Sequence, residues 1–147
     1  VLLNAWASPF GARVRIALAE KGVKHELKEE DFKVWADLID KKVRQGGGSG
    51  ESQEELIEVF KLLEGELGEK PYFGGEEFGF IDIALVPFCS RFYAVETFGK
   101  FSIEAECPKL VAWAERCKKK KSVSSCLPDP AKAYEWVVYV NKKLGIE

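Results

Sequence analysis

The sequence predicts a mainly α-helical protein: a bundle of five helices preceded by a short β-α-β segment. Three observations lead there. Residues 1–32 open with an apolar run, continue through a helix-like stretch and end on a second, weakly alternating run. The pattern changes at the junction of Phe32 and Lys33, and from there to Glu147 the apolar spacing is helical. A break of five residues, Gly46-Gly47-Gly48-Ser49-Gly50, has the composition of a flexible linker and separates two of the helices. The expected division is therefore 1–32 and 33–147, with the linker at 46–50.

Val1–Trp6 is a short apolar run and reads as a buried strand. Pro9 suits the first turn of a helix, because the missing N–H is one that a helix start leaves unpaired. Arg13 to Lys21 continue that helix. Lys21 followed by Gly22 is a stop signal, a cation in the last turn and a glycine after it. Val23–Lys28 alternates weakly, as an edge strand does. Two strands joined by a helix imply a parallel pair.

Asp31 can cap a helix running through Gln45, in which Val34, Trp35, Leu38, Ile39 and Val43 share one face. The glycine run after it resembles an engineered insertion more than a natural loop. Ser52 with Glu55 forms a capping box before a helix carrying Leu56, Ile57, Phe60, Leu63 and Leu67, stopped by Gly68. Lys70–Glu77 is rich in turn residues. Gly79-Phe80-Ile81-Asp82 opens the most apolar helix, running toward Phe98-Gly99. Asp82 stands where its carboxylate can accept unpaired backbone N–H groups. Ile81, Ile83, Ala84, Leu85, Val86, Phe88 and Phe92 surround this helix on nearly all sides, which predicts a central core helix, kinked at Pro87. Pro108 starts a further helix reaching about as far as Lys120, with Leu110, Val111, Trp113 and Ala114 inward. Asp129-Pro130 caps the last helix, which carries Tyr134, Val137, Val138 and Leu144. The core should centre on the Phe80–Phe98 helix and Trp113.

At 147 residues the chain is one domain, or one domain plus a fragment. Its 46% apolar and 31% charged content is that of a soluble globular protein. A net charge of −2 argues against a general attraction to nucleic acid or anionic membranes. No apolar run reaches the ~18 residues of a membrane span, and no secretory signal pattern is present. With Val first and no Met anywhere, the initiating methionine is expected outside this sequence. The cysteines Cys89, Cys107, Cys117 and Cys126 form no CxxC, and the one histidine, His25, is far from them in sequence. Neither a zinc site nor any other metal is expected; reduced thiols in the cytoplasm are.

Two stretches carry a resemblance. The first is Trp6-Ala7-Ser8-Pro9-Phe10-Gly11 followed by Arg13-Val14-Arg15-Ile16-Ala17-Leu18-Ala19-Glu20-Lys21-Gly22. The second combines Leu63-Glu64-Gly65-Glu66-Leu67, Lys70-Pro71-Tyr72-Phe73-Gly74-Gly75, Phe78-Gly79-Phe80-Ile81-Asp82, the Tyr93–Phe98 segment and Glu106-Cys107-Pro108-Lys109-Leu110. Together they resemble the plant tau-class glutathione transferases. The resemblance implies a thioredoxin-like unit that binds glutathione, followed by a helical domain that binds a hydrophobic electrophile, with glutathione as co-substrate and no other cofactor. It implies detoxification chemistry in the cytoplasm and a homodimer or other homo-oligomer.

By the same resemblance, Ser8 is the hydroxyl that stabilises the glutathione thiolate, and Asp37 approaches the glutathione amine. Phe10, Trp35, Leu38, Arg91 and Trp136 fall where the family lines its hydrophobic pocket. Relatives often carry tryptophan where Arg91 stands, so this pocket has a different polarity. Read without the resemblance, Ser8 is a helix cap before Pro9. The departure from the family is a middle segment. A complete thioredoxin-like domain takes roughly 80 residues or more on ordinary element and loop lengths. Here 32 residues precede the helical region. Absent with the segment are the family's glycyl-carboxylate lysine, its cis-proline and its Glu-Ser pair. Glu51-Ser52 repeats that dipeptide beside the linker and does not carry its role. Two functions follow as expectations: glutathione transfer, or a truncated or engineered helical scaffold that binds hydrophobic ligands without catalysis. Exposed strand edges and apolar surface left by the missing elements predict self-association in either case.

Overall fold

The computed structural model describes residues 1–29 and 53–144. The chain opens with β1 (Leu2–Asn4), α1 (Pro9–Glu20) and β2 (Leu27–Glu29). β1 and β2 pair in parallel, Leu2 opposite Leu27 and Asn4 opposite Glu29, so the expected β-α-β unit forms. Both strands are shorter than the runs that predict them. β2 is solvent-exposed along its whole length, so little packing extends it. α1 stops where the sequence says it should. Gly22 adopts φ +63°, and the N–H of Val23 donates to the Leu18 carbonyl at 2.9 Å. A left-handed residue closes such a turn, and glycine enters that region at least steric cost.

The helical body comprises α2 (Gln53–Leu67), α3 (Phe80–Leu85), a 3-10 helix (Val86–Arg91), α4 (Phe92–Gly99), α5 (Ile103–Glu106), α6 (Pro108–Lys118), α7 (Lys121–Ser124) and α8 (Pro130–Leu144). The single helix expected from Phe80 to Phe98 is thus three segments. Pro87 cannot donate and its ring crowds the preceding turn, so the chain winds more tightly before regaining α geometry. The all-round apolar reading of that helix also needs correction. Phe80 is 84% exposed and Ile81 is exposed too, whereas the charged Asp82 is fully buried. The four-residue helices α5 and α7 were not expected, being too short to carry a periodic signal.

Asp82 organises the centre. Its Oδ2 accepts the Gly79 N–H at 2.8 Å, and its Oδ1 accepts the Phe73 N–H at 3.0 Å and the Trp113 indole N–H at 2.8 Å. The carboxylate therefore caps α3, fixes the preceding loop and anchors α6. Trp113 is 1% exposed and meets Phe73 edge-on with ring centroids 5.0 Å apart. Other helix starts also borrow carboxylates from elsewhere. Glu64 of α2 accepts the Leu110 N–H of α6 at 2.9 Å, and Glu96 accepts the Ile103 N–H of α5 at 2.8 Å. Asp129 caps α8 as expected, accepting from Ala131 at 2.9 Å.

α1 joins the same core. Ile16 is fully buried in one cluster with Leu67, Phe73, Val86, Ile103 and Trp113. Arg13 Nε donates to the Ala84 carbonyl at 2.6 Å, and Arg15 donates to the Ser125 carbonyl at 3.1 Å. The Phe32–Lys33 junction, the Asp31–Gln45 helix, the 46–50 linker and Ser52 of the capping box lie outside the described residues.

Candidate functional site at the start of α1

Ser8 is the N-cap of α1. Its backbone is extended, at φ −81° and ψ 118°, with Pro9 in the first turn. The Ser8 Oγ accepts the Gly11 N–H at 3.3 Å. That bond uses a lone pair and leaves the hydroxyl hydrogen for another partner. The positive end of the α1 dipole lies at the same point. Gly11 has a steric reason to be glycine: a Cβ there would sit 2.6 Å from the Asn4 Oδ1. Asn4 is buried, its Nδ2 donates to Glu29 at 2.5 Å, and its Oδ1 has no donor among the described residues. The strand therefore holds the first turn of α1 at close range.

Aromatic residues flank this turn. Phe10 is 65% exposed, and its ring meets Phe88 of the 3-10 helix edge-on with centroids 6.1 Å apart. The Arg13 guanidinium lies over both rings, 5.0 Å from Phe10 and 4.8 Å from Phe88. On the other side Trp6 meets Trp136 of α8 at 6.3 Å. The residues before and after Ser8 thus reach two different helices of the body. Phe88, Trp6 and Arg13 were not among the site residues the sequence suggested. Arg13 follows Phe10 by three positions, a helical spacing that could have signalled the pair.

Arg91 ends the 3-10 helix and lines two cavities, one of about 460 Å³ and one of about 300 Å³. Asp37, Trp35 and Leu38 lie outside the described residues. The four cysteines are buried and unpaired. Burial pushes the Cys89 and Cys117 thiols up to about 12, so neither supplies a nucleophile near neutral pH. Among the described residues no cluster of His, Cys, Asp or Glu could hold a metal, and no helix is long and apolar enough to cross a membrane.

An N-capped helix joins two short parallel strands, and its start meets the helical body through Trp6 and Phe10. Comparison with known proteins gives the family. The glutathione S-transferase C-terminal domain profile matches residues 17–116. A probable glutathione S-transferase of Nicotiana tabacum is 40% identical over 215 aligned positions, covering 100% of this chain and 97% of the relative. Glutathione S-transferase U25 of Arabidopsis thaliana is 39% identical, covering 100% and 97%. The crystal structure of rice GST1 (OsGSTU1) in complex with glutathione superposes with a TM-score of 0.81 at 32% identity, over 97% of this chain and 96% of that one. The tau-class enzyme MiGSTU of mango shares the fold, with a TM-score of 0.76 at 22% identity over 95% and 97%. The chain belongs to the glutathione S-transferase family, in its plant tau class. The tobacco alignment runs over 215 positions against the 147 residues here, so at least 68 of them face a gap in this chain.

Proposed function

We propose that the chain conjugates the thiolate of glutathione to hydrophobic electrophiles, with Ser8 as the thiolate-stabilising hydroxyl. The observation that carries this reading is the Ser8 cap, whose Oγ accepts from Gly11 and keeps its hydrogen free. A free thiol has a pKa of about 8.5 and is mostly protonated at pH 7, while only the thiolate is a good nucleophile. A hydroxyl donor and the α1 dipole both favour the charged sulfur. The sulfur then attacks the electrophilic carbon, the C–S bond forms, the leaving group departs with its electron pair, and the thiol proton passes to solvent.

In this reading residues 1–32 are a truncated thioredoxin-like segment and 33–147 the helical domain, and both contribute to the site. Asp37 approaches the glutathione amine, and Phe10, Trp35, Leu38, Arg91 and Trp136 line the electrophile pocket. The unpaired thiols support a reducing compartment such as the cytoplasm.

A second reading rests on the short sheet and the positions that relatives have and this chain does not. Removing most polar contacts to glutathione loses several hydrogen bonds of about 0.5–1.5 kcal/mol each. Millimolar to micromolar affinity amounts to only about 4–8 kcal/mol. The chain would then be a helical scaffold that binds hydrophobic ligands without catalysis. Titration calorimetry with glutathione separates the two. The first reading expects heat and a dissociation constant at or below the millimolar range; absence of heat overturns it and makes the second the leading one.

For an active chain, Ser8→Gly should lower kcat/KM toward chlorodinitrobenzene by about 10- to 100-fold, the worth of one hydrogen bond to a charged atom. Glycine also caps helices, so stability should fall by only a few tenths of a kcal/mol. Unchanged turnover would remove Ser8 from the chemistry.

Self-association belongs to the same proposal. Val1, Val23 and Leu27 are exposed around the two-stranded sheet, and uncovered strands invite pairing with another copy. Light scattering over a concentration series should show a dimer or larger species. A compact monomer throughout would contradict it.

A further inference from the structure

Lys118, Lys119, Lys120 and Lys121 run in sequence from the end of α6 into α7, and Ser122 follows them directly. Two of the four are engaged. Lys118 pairs with Glu115 at 2.7 Å, and the Lys120 ammonium lies over the Phe78 ring, 5.0 Å from its centroid. Lys119 and Lys121 are exposed, and neither forms an ion pair among the described residues. A cation suits the last turn of α6, where Lys118 stands, but Lys121 opens α7, where the helix dipole gives it nothing. The packing here is done by Cys117 and Val123, both fully buried, so the core does not require adjacent like charges. Ser122 has a definite task. Its hydroxyl donates to the Glu20 carboxylate at the end of α1, at an exposed site. Lys120 stands 3.9 Å from the same carboxylate, and Arg15 donates to the Ser125 carbonyl at 3.1 Å. These contacts fasten the last turns of α1 to α7 and its flanks.

We propose that Ser122 is a phosphorylation site for a protein kinase that recognises basic residues ahead of its target, and that the phosphate loosens the end of α1. Such kinases select their substrates by charge, and the exposed lysines ahead of Ser122 offer that charge on an otherwise acidic chain. In the transfer the Ser122 Oγ bonds to the γ-phosphorus of ATP, and the bond from that phosphorus to the β,γ-bridging oxygen breaks. The diphosphate leaves with the electron pair, and the hydroxyl proton goes to a base of the kinase. The product has no hydrogen to give Glu20 and carries a charge of about −1.5 to −2 beside it. It also competes for the Lys120 ammonium, so Glu20 loses both partners and gains a like charge. α7 has four residues, a short element for a kinase to open. The modification needs neither glutathione nor Ser8.

The test incubates the intact folded chain with magnesium ATP and the catalytic subunit of protein kinase A, with an acidic-directed casein kinase as the control. Intact mass should show one added phosphoryl group with the first enzyme, and fragment masses should place it on Ser122. Ser122→Ala should abolish it, and Ser122→Thr should restore it. Exchanging both Lys119 and Lys121 for glutamine should slow incorporation by about 5- to 10-fold without changing the circular dichroism. In the phosphorylated chain the amides of Lys21, Gly22 and Val23, which close α1, should exchange with deuterium about 3- to 10-fold faster, the worth of two surface contacts and a repulsion. Ser122→Ala loses the hydrogen bond alone and should change them less. Amides of α6 around Trp113 should stay as they were. Should Ser122→Ala misfold, the fragment masses of the unaltered chain decide the site by themselves. No incorporation, incorporation only after heat unfolding, phosphate on Ser124 or Ser125 in place of Ser122, or equal rates with the acidic-directed enzyme would overturn the assignment of the site. Unchanged exchange at the end of α1 in the phosphorylated chain would overturn its effect.

Discussion

Replacing Asp82 with alanine should destabilise the chain by about 3–5 kcal/mol, the cost of leaving several buried donors unpaired. The carboxylate is fully buried and accepts from Phe73, Gly79 and the Trp113 indole. Alanine supplies no acceptor, and the space it opens is too enclosed for water to serve all three donors. Small domains have only about 5–15 kcal/mol in total, so the variant should sit close to its unfolding midpoint at room temperature. Asp82→Asn tests the reason. Its amide oxygen can keep the Phe73 and Trp113 bonds, while its amide NH2 faces the Gly79 N–H, donor against donor. About half of the loss should remain, since one of the bonds is replaced by a repulsion. Trp113→Phe keeps the ring against Phe73 and removes only the indole donor. In a double-mutant cycle with Asp82→Ala its effect should shrink, because the partner is already gone. Urea unfolding followed by fluorescence measures all of these. Additive losses, or a midpoint for Asp82→Ala close to that of the unaltered chain, would show that the carboxylate is not the keystone described above.

The same residue marks how far a sequence can be read. Asp82 near Gly79 is a local capping signal, as are Lys21-Gly22 and Asp129-Pro130, and Pro87 is a local kink signal. Each acts within a turn or two of itself, so each was legible. The Trp113 indole lies 31 residues from Asp82, and Glu64 lies 46 residues from the Leu110 N–H it caps. Nothing local announces such pairs, because the fold alone brings them together. Local pattern also misled where it counted apolar residues as core: Phe80 and Ile81 face solvent, since the side of α3 they occupy has no cover among the described residues. The candidate site divides in the same way. The Ser8 cap is readable from Ser-Pro. Its aromatic surroundings depend on Phe88 and Trp136, far along the chain, and the second of these was suggested only by family resemblance. That Arg91 changes the pocket's polarity could be said from sequence; that no counter-ion meets it among the described residues required coordinates.

Ile16→Ala should cost about 3–4 kcal/mol, the sum of lost apolar burial and an unfilled cavity, and the damage should be uneven. Ile16 has no exposed surface and is the residue of α1 that enters the main core. The other attachments of α1 are weaker. Arg15 reaches the Ser125 carbonyl at an exposed site, Lys120 stands 3.9 Å from Glu20 at the surface, and exposed contacts of this kind are worth about 0–1 kcal/mol. The Arg13 bond to Ala84 is partly buried and stronger, and the same guanidinium lies over Phe88, but both contacts come from one side chain. A two-stranded sheet does not hold a helix in place unaided. Without Ile16, then, α1 should leave the body before the body unfolds. Hydrogen exchange resolves the order: amides of α1 should lose protection while those of α6 around Trp113 keep theirs, whereas Asp82→Ala should lower both together. Ser8 rides at the other end of the same helix, two turns from Ile16. Any thiol-transfer rate should therefore fall in Ile16→Ala although that side chain meets no substrate, and it should recover under conditions that restore α1 protection. Equal loss of protection in α1 and α6 would mean that the helix and the body form one cooperative unit, and that Ser8 is held by the whole core and not by its own helix.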